Sequence, residues 1–481
     1  MHLRESPTIH PRIPGQIPIV CYASRMPRLV VVSNRGPFRR EGARWVRSAG
    51  GLVAALHPVL LARGGVWVSA KQAKDFDTVI DGPKVDYELP TVRLSPRVSD
   101  AFYMGVSNAI VWPLLHGFAT TIAVADAPWA DYVEANERFA ARTLEASKPR
   151  DLVWVHDYHL MLVPGMLRKH RRTQRIGWFC HVPWPPSVRF GILPWREQIL
   201  EGMLGADVLG FHTDEYVEAF LGCVEAYSSH EVDRARRVVK VGRREVRVIA
   251  APIGIGVDAL DALARSEEVE EALVHLRAKT GGRRILLGVD RLDYTKGIVE
   301  RMRAFDRYLA KDKSARERVI FVQIMVPSRT DVQAYADLKN EIDRMVGDIN
   351  GRYATTGIVP LQYFYRNFDQ RRLFAHYRAA DVALVTPLRD GMNLVAHEYV
   401  ASRIHENGAL VLSEFAGAAA FFGDDALLVN PYDVDGIATA LEKALAMPAT
   451  EASSRMRALR EKVRALDVHR WADGFLAELE R

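Results

Sequence analysis

A chain of 481 residues with 48% hydrophobic content is too long for one comfortable core and apolar enough for two, so widespread disorder is excluded and two globular domains are expected. Its 65 Lys and Arg are interleaved with 59 Asp and Glu, leaving a formal charge of +6, and this mixed pattern argues against a nucleic-acid partner while suiting substrates that carry phosphates. Three cysteines, Cys21, Cys180 and Cys223, show no C-x-x-C and no zinc spacing, which points to a reducing cytoplasm and to no metal site, and no apolar run approaches the ~18 residues of a membrane span.

Residues 1–27 are rich in Pro and Arg, with Met26 just ahead of the first strand signal; they read as a disordered arm or as an upstream start. From Leu29 onward, β-branched runs alternate with amphipathic helical patterns. The expected strands are 29–33, 66–69, 152–157, 176–181 and 208–213, followed by a hairpin over 238–250 turning at Gly242 and a crossing segment in APIGIGVD. A second series follows at 285–290, 319–325, 361–365, 382–387, 410–414 and 426–430, then a helical tail from about Asp433 whose resting place is not legible. Such alternation is the signature of parallel sheets with crossover helices. The fold class is therefore α/β, with two Rossmann-like doubly wound domains, 28–252 and 253–481, facing a central cleft.

Polar residues at the ends of buried strands need a reason. The first strand runs into Ser33-Asn34-Arg35-Gly36-Pro37, and Ala49-Gly50-Gly51-Leu52 opens a helix where bare N–H groups could meet an anion or simply make a turn. Two further strands end in His156-Asp157 and Cys180-His181; Asp157 could equally cap a helix and His181 could be a core histidine. In the second half, Arg291 and Lys296 lie five apart in a loop after a strand. Two cations there suit a diphosphate, or a solvated surface loop. Thr386-Pro387-Leu388-Arg389-Asp390-Gly391-Met392-Asn393-Leu394 then leads into a helix that carries Glu398, eight residues beyond Asp390. A helix N-terminus offers positive potential to phosphates, and Glu398 could accept from ribose hydroxyls.

Taken together, the blocks VVSNRGP, AGGL, SNAIVWPLLH, VWVHDYHLMLVPGMLR, HVPWPPS, ILPWREQIL, LLGVDRLDYTKGI, PSRTDVQAY, INGRY, TPLRDGMNLVAHEYVA, VLSEFAGAA and NPYD resemble the trehalose-6-phosphate synthase family of retaining GT-B glucosyltransferases, from Leu29 to about Leu479. The resemblance implies a nucleotide-sugar donor, UDP-glucose in the first instance with GDP- or ADP-glucose open, and a sugar-phosphate acceptor, glucose 6-phosphate. It implies a donor site of Gly50, Gly51, Arg291, Lys296, Asp390, Gly391, Met392, Asn393, Leu394 and Glu398. It implies an acceptor site of Arg35, Tyr103, Trp112, Asp157 and Arg329, in which Arg35 and Arg329 grip the phosphate. His181 and Asp157 would face the transferring glucose, and the catalytic set is Asp157, His181, Arg291, Lys296 and Asp390. No cofactor or metal is implied, a homo-oligomer is left open, and a separate phosphatase is expected to act on the product.

The chain departs from the family pattern at three places. Val66-Trp67-Val68-Ser69-Ala70-Lys71-Gln72 lacks a second Trp, His397 replaces a Lys before Glu398, and Gly117 stands where an aromatic commonly follows the Trp-Pro…His run. Lys71-Gln72 and Gly117 lean toward a relative, glucosylglycerol-phosphate synthase, whose acceptor is glycerol 3-phosphate. Arg329 and the intact Ala-Gly-Gly-Leu favour glucose 6-phosphate. A catalytically silent sugar-phosphate-binding homologue is disfavoured because Arg291, Lys296, Asp390 and Glu398 are all present.

Overall fold

The computed structural model describes residues 27–41, 44–48, 51–70, 85–119, 122–329 and 332–481. The amino-terminal arm up to residue 26, Gly50, Lys71 and Gln72 lie outside the described residues. In the first half the strands are β1 (Leu29–Ser33), β2 (Phe38–Glu41), β3 (Arg44–Arg47), β4 (Val66–Ala70), β5 (Thr91–Val92), β6 (Leu152–His156), β7 (Arg175–Phe179), β8 (Val208–Phe211), β9 (Glu231–Asp233), β10 (Val238–Val241) and β11 (Arg244–Ala250). The second half holds β12 (Arg284–Arg291), β13 (Val319–Val326), β14 (Leu361–Tyr365), β15 (Val382–Val385), β16 (Ala409–Ser413) and β17 (Leu427–Val429).

Two sheets result. Among the described residues one has nine strands in the order β5-β4-β1-β6-β7-β8-β11-β10-β9, and the other six in the order β14-β13-β12-β15-β16-β17, while β2 and β3 pair only with each other. All pairings are parallel except β2 with β3 and the meander β9-β10-β11 at one edge. Strand β1 shows why these segments read as unbroken apolar runs. Leu29 and Val31 enter one core and Val30 and Val32 the other, so both faces of the strand are buried.

The expected hairpin turns at Gly242, with Val241 opposite Arg244. Six strands stop short of the expected limits, two of them, β16 and β17, by one residue at Ser413 and Val429; in the other four the reason is local. Strand β6 ends at His156 because Asp157 takes φ 75, and β15 ends at Val385, so that Thr386 and Pro387 already belong to the loop. The strands at 176–181 and 208–213 likewise end at Phe179 and Phe211. Asp157 and His181 therefore sit on the loops that leave the strands.

The helical tail divides. Helix Val434–Ala446 joins the core of the second sheet through Ile437 and Leu441, whereas helix Val468–Glu480 crosses back to the first. Phe475 stacks on Trp154 with centroids 4.5 Å apart, and it fills the space above Gly177 and Gly210, where a side chain on β7 or β8 would collide with it. Ile255 on the outward crossing bridges Asp467 on the return, so the two connections between the lobes run side by side. One continuous apolar core consequently joins residues of both sheets. Among the described residues no helix is long and apolar enough to cross a membrane.

Candidate active site

In open parallel sheets a crevice forms where neighbouring strands send their connections to opposite faces. In the first sheet that point lies between β1 and β6, whose following loops carry Arg35 and Asp157; in the second it lies between β12, which ends on Arg291 itself rather than leaving it in the loop, and β15, and the loops that follow carry Lys296 and Asp390 to Asn393. The two crevices face each other. Gly391 comes so close to the His181 carbonyl that a Cβ there would overlap it, and Tyr216 of the first lobe donates its hydroxyl to the Asp390 carbonyl at 3.1 Å.

On the first-lobe side, residues Ala101–Val111 are wound as an 11-residue π-helix, a form concentrated at functional sites. It carries Tyr103 and delivers Trp112. Arg35 Nη2 donates to the Tyr103 hydroxyl at 2.5 Å. Arg329 reaches the same group from the second lobe. Burial would raise the Tyr103 hydroxyl, but Arg35 and Arg329 together hold it below its ordinary value. Arg329 also lies over the Trp112 ring at 4.3 Å, and Arg291 approaches that ring at 5.8 Å. Behind it, the buried Asp293 accepts from Arg329 at 3.2 Å and from the Tyr335 hydroxyl at 3.2 Å. The five residues expected on the acceptor side are thus gathered by elements from both lobes.

Asp157 does not cap the short helical turn that follows it. Its Oδ1 instead accepts the His181 amide at 3.4 Å. Burial raises its carboxyl to about 6, against the opposing pull of the Tyr158 and His181 amides and of Arg291 and Arg329. His181 is no simple core histidine either: it is partly exposed, and its Nε2 meets His156 Nδ1 at 3.1 Å.

On the donor side, Lys296 Nζ pairs with Asp390 Oδ2 at 2.5 Å. The same carboxylate accepts Asn393 Nδ2 and the Gly391 amide, both at 2.9 Å. Burial disfavours its charge, yet Lys296, His116 and Arg291 keep its carboxyl below the usual range. Asn393, at φ 66, starts helix Leu394–Ser402, so the amino end of that helix points at the cluster. Met392 is buried in the core. Leu394 lies against Gly51, whose Cβ would stand 2.8 Å from Leu394 Cδ1. The first residue of helix Gly51–Arg63 therefore abuts the donor loop. Glu398, one turn into its helix, accepts from the Tyr377 hydroxyl at 2.9 Å, and burial raises its carboxyl to about 6. Among the described residues no group of three or more His, Cys, Asp or Glu is gathered as a metal site would be.

Sequence reasoning missed the supports. Arg301, with a fully buried side chain, donates to Asp290 at 2.5 Å, Gln323 at 3.1 Å, Thr386 at 3.0 Å and the Lys296 carbonyl at 3.1 Å. It ties together the two loops that carry Lys296 and Asp390. Its signal was present: an arginine within the apolar stripe of Ile298, Val299, Met302 and Phe305. Asp293, Tyr335 and Tyr377 gave no such signal, because their partners are distant in the chain, and His156 showed only as a polar strand end without its partner.

A sequence profile of Glycosyltransferase family 20 matches residues 27–481. The chain is 44% identical over 473 residues to the trehalose-6-phosphate synthase of Mycobacterium avium, covering 94% of each. Its structure is similar to that of an α,α-trehalose-phosphate synthase (UDP-forming) from Burkholderia xenovorans in complex with glucose 6-phosphate, with TM-score 0.87 and 35% identity over 94% of this chain and 100% of the other. It is also similar to the Escherichia coli enzyme bound with UDP-2-fluoro glucose, with TM-score 0.86 and 35% identity over 94% of this chain and 99% of the other. A profile match over almost the whole chain, joined to this identity and to two doubly wound sheets facing one cleft, identifies the chain as a GT-B glycosyltransferase belonging to glycosyltransferase family 20.

Proposed function

We propose that the chain transfers glucose from UDP-glucose to glucose 6-phosphate with retention of configuration, giving α,α-trehalose 6-phosphate. The observation that carries this reading is the placement of Arg35 and Arg329 on one hydroxyl, that of Tyr103, from opposite lobes. Two guanidinium groups converging on one point suit a phosphate. The relatives complexed with glucose 6-phosphate and with a UDP-glucose analogue supply the identities of acceptor and donor. Residues 28–252 then hold the acceptor and 253–481 the nucleotide sugar.

In the reaction, the bond from the sugar anomeric carbon to the donor phosphate breaks on the face where the acceptor hydroxyl attacks. The acceptor proton passes to an oxygen of the departing phosphate. Arg291 and Lys296 stabilise the charge that develops on the diphosphate, in a site where those charges are already in place. Asp390 and Asn393 hold Lys296 and the loop, Glu398 accepts from the ribose, and His181 and Asp157 position the transferring glucose. Asp157 is not assigned as a nucleophile. A phosphatase acts on the product afterwards.

The test is release of nucleoside diphosphate from UDP-glucose with glucose 6-phosphate or glycerol 3-phosphate, with mass analysis of the product. A phosphorylated disaccharide formed from glucose 6-phosphate is the expected result. Preference for glycerol 3-phosphate would overturn the acceptor assignment, and absence of release with either would overturn the enzymatic reading.

A further inference from the structure

His156, the last residue of β6, is fully buried and makes one hydrogen bond, from its Nδ1 to His181 Nε2 at 3.1 Å. Among the described residues its own Nε2 is buried with no partner. Burial pushes His156 down to about 3 and His181 well below its ordinary value, so both rings are neutral at physiological pH and share a single proton in the bridge. Only two arrangements exist. If His181 donates, His156 must carry its proton on Nε2, leaving a buried N–H with no acceptor. If His156 donates from Nδ1, its Nε2 is a bare lone pair on a ring whose centroid lies 4.7 Å from that of Trp154. An orphaned buried N–H is the rarer and costlier defect.

We infer that His156 is a positioning residue: it donates to His181 Nε2 and so fixes His181 as the tautomer with its proton on Nδ1. His181 then presents a hydrogen-bond donor, not an acceptor, to the cleft. His181 is held in place on two more sides, by its amide on Asp157 and by its carbonyl against Gly391 of the donor loop. A hydroxyl oxygen of the transferring sugar is the group that such a donor recognises, and this last step rests on the proposed function.

The first measurement is the nitrogen-15 spectrum of the uniformly labelled full-length chain without ligands. His181 is assigned by loss of its signals in His181→Gln. Protonated Nδ1 and unprotonated Nε2 on His181 are expected; the reverse pattern would overturn the inference whatever the substrate proves to be. Next, His156→Phe keeps a ring but no donor, and His156→Asn restores an N–H near the Nδ1 position. Loss of about 10–100-fold in kcat/KM for the sugar donor is expected for the Phe variant, with recovery in the Asn variant. Should the Phe variant fail to fold, the nitrogen spectrum still decides. Equal activity in the Phe and parent proteins, or equal losses in Phe and Asn, would count against positioning through His181. Tautomer and activity are read separately, so a wrong substrate assignment and a wrong tautomer are distinguishable.

Discussion

Lys296 Nζ and Asp390 Oδ2 stand 2.5 Å apart although 94 residues separate them in the chain. The pair closes the crevice between β12 and β15, and the Asp390 carboxylate also fastens Asn393 and the Gly391 amide. Lys296 supplies charge to the departing diphosphate in the proposed reaction, whereas Asp390 supplies the aim of that charge. Lys296→Ala and Asp390→Ala should each lower kcat by about 10²–10³-fold. The double variant should be little worse than the worse single one, because the two side chains act as a unit. Losses that multiply would show that Asp390 acts independently of Lys296.

Glu398 makes stability depend on pH in the direction opposite to that of an ordinary paired carboxylate. Its folded value is raised by burial from 4.5 to about 6, so between those limits the native state binds more protons than the unfolded chain. Stability from this group is therefore fully present at low pH and is lost as pH rises through about 6. Glu398→Gln cannot ionise but can still accept from Tyr377. Relative to the parent, it should gain on the order of 2 kcal/mol between pH 4 and pH 8. Thermal melts of both proteins across that range check this, and a constant difference would refute it. Donor binding should weaken in the variant at every pH.

Removal of divalent metal should leave activity unchanged. In the proposed reaction Arg291 and Lys296 neutralise the diphosphate. The measurement is activity after dialysis against a chelator; activity lost and then regained with magnesium would contradict the assignment.

How much of this was legible in the sequence depends on the range of each interaction. The central strands could be read because both of their faces are buried, so apolar runs appear without interruption, as in Leu29 to Val32; β2, β3, β5 and β9, short and lacking such runs, could not. The site loops could be read because Arg291, Lys296 and Asp390 are charges directly following such runs. The return of helix Val468–Glu480 to the first lobe was not legible: its apolar face would suit either sheet, and the choice is made by Phe475 fitting over Gly177 and Gly210, more than 250 residues earlier. That Arg35, Tyr103 and Arg329 belong to one site followed only from family resemblance, and the approach of both arginines to Tyr103 not at all, since no local pattern joins three residues from three distant segments.

Gly117, read from the sequence as a missing aromatic, is not a vacant place. Arg189 Nη1 lies 2.6 Å from where its Cβ would be, and the backbone there has φ +93. The glycine and the arginine are thus one joint feature. Gly117→Phe should cost about 1–3 kcal/mol, partly from the backbone conformation and partly from displacing Arg189. Adding Arg189→Leu should recover the second part and not the first. Denaturation midpoints of the parent and the two variants decide: full recovery would mean that the backbone is not strained, and no recovery would mean that Arg189 moves aside freely.

Arg301 offers the sharpest test of how the site is held. Its guanidinium contacts the loop after β12 through the Lys296 carbonyl and the loop after β15 through the Thr386 hydroxyl, while Asp290 balances its charge. None of these groups lies on substrate in the proposed reaction. Truncation to Ala leaves the Asp290 carboxylate buried and unpaired, and should cost about 3–5 kcal/mol. Arg301→Lys keeps the charge but cannot reach four acceptors with one ammonium, so it should fold with smaller loss and still misplace both loops. The expected signature in Arg301→Lys is a fall in kcat, because the loops that carry Lys296 and Asp390 both lose their shared tie. An unchanged kcat would mean that the loops keep their places without the arginine.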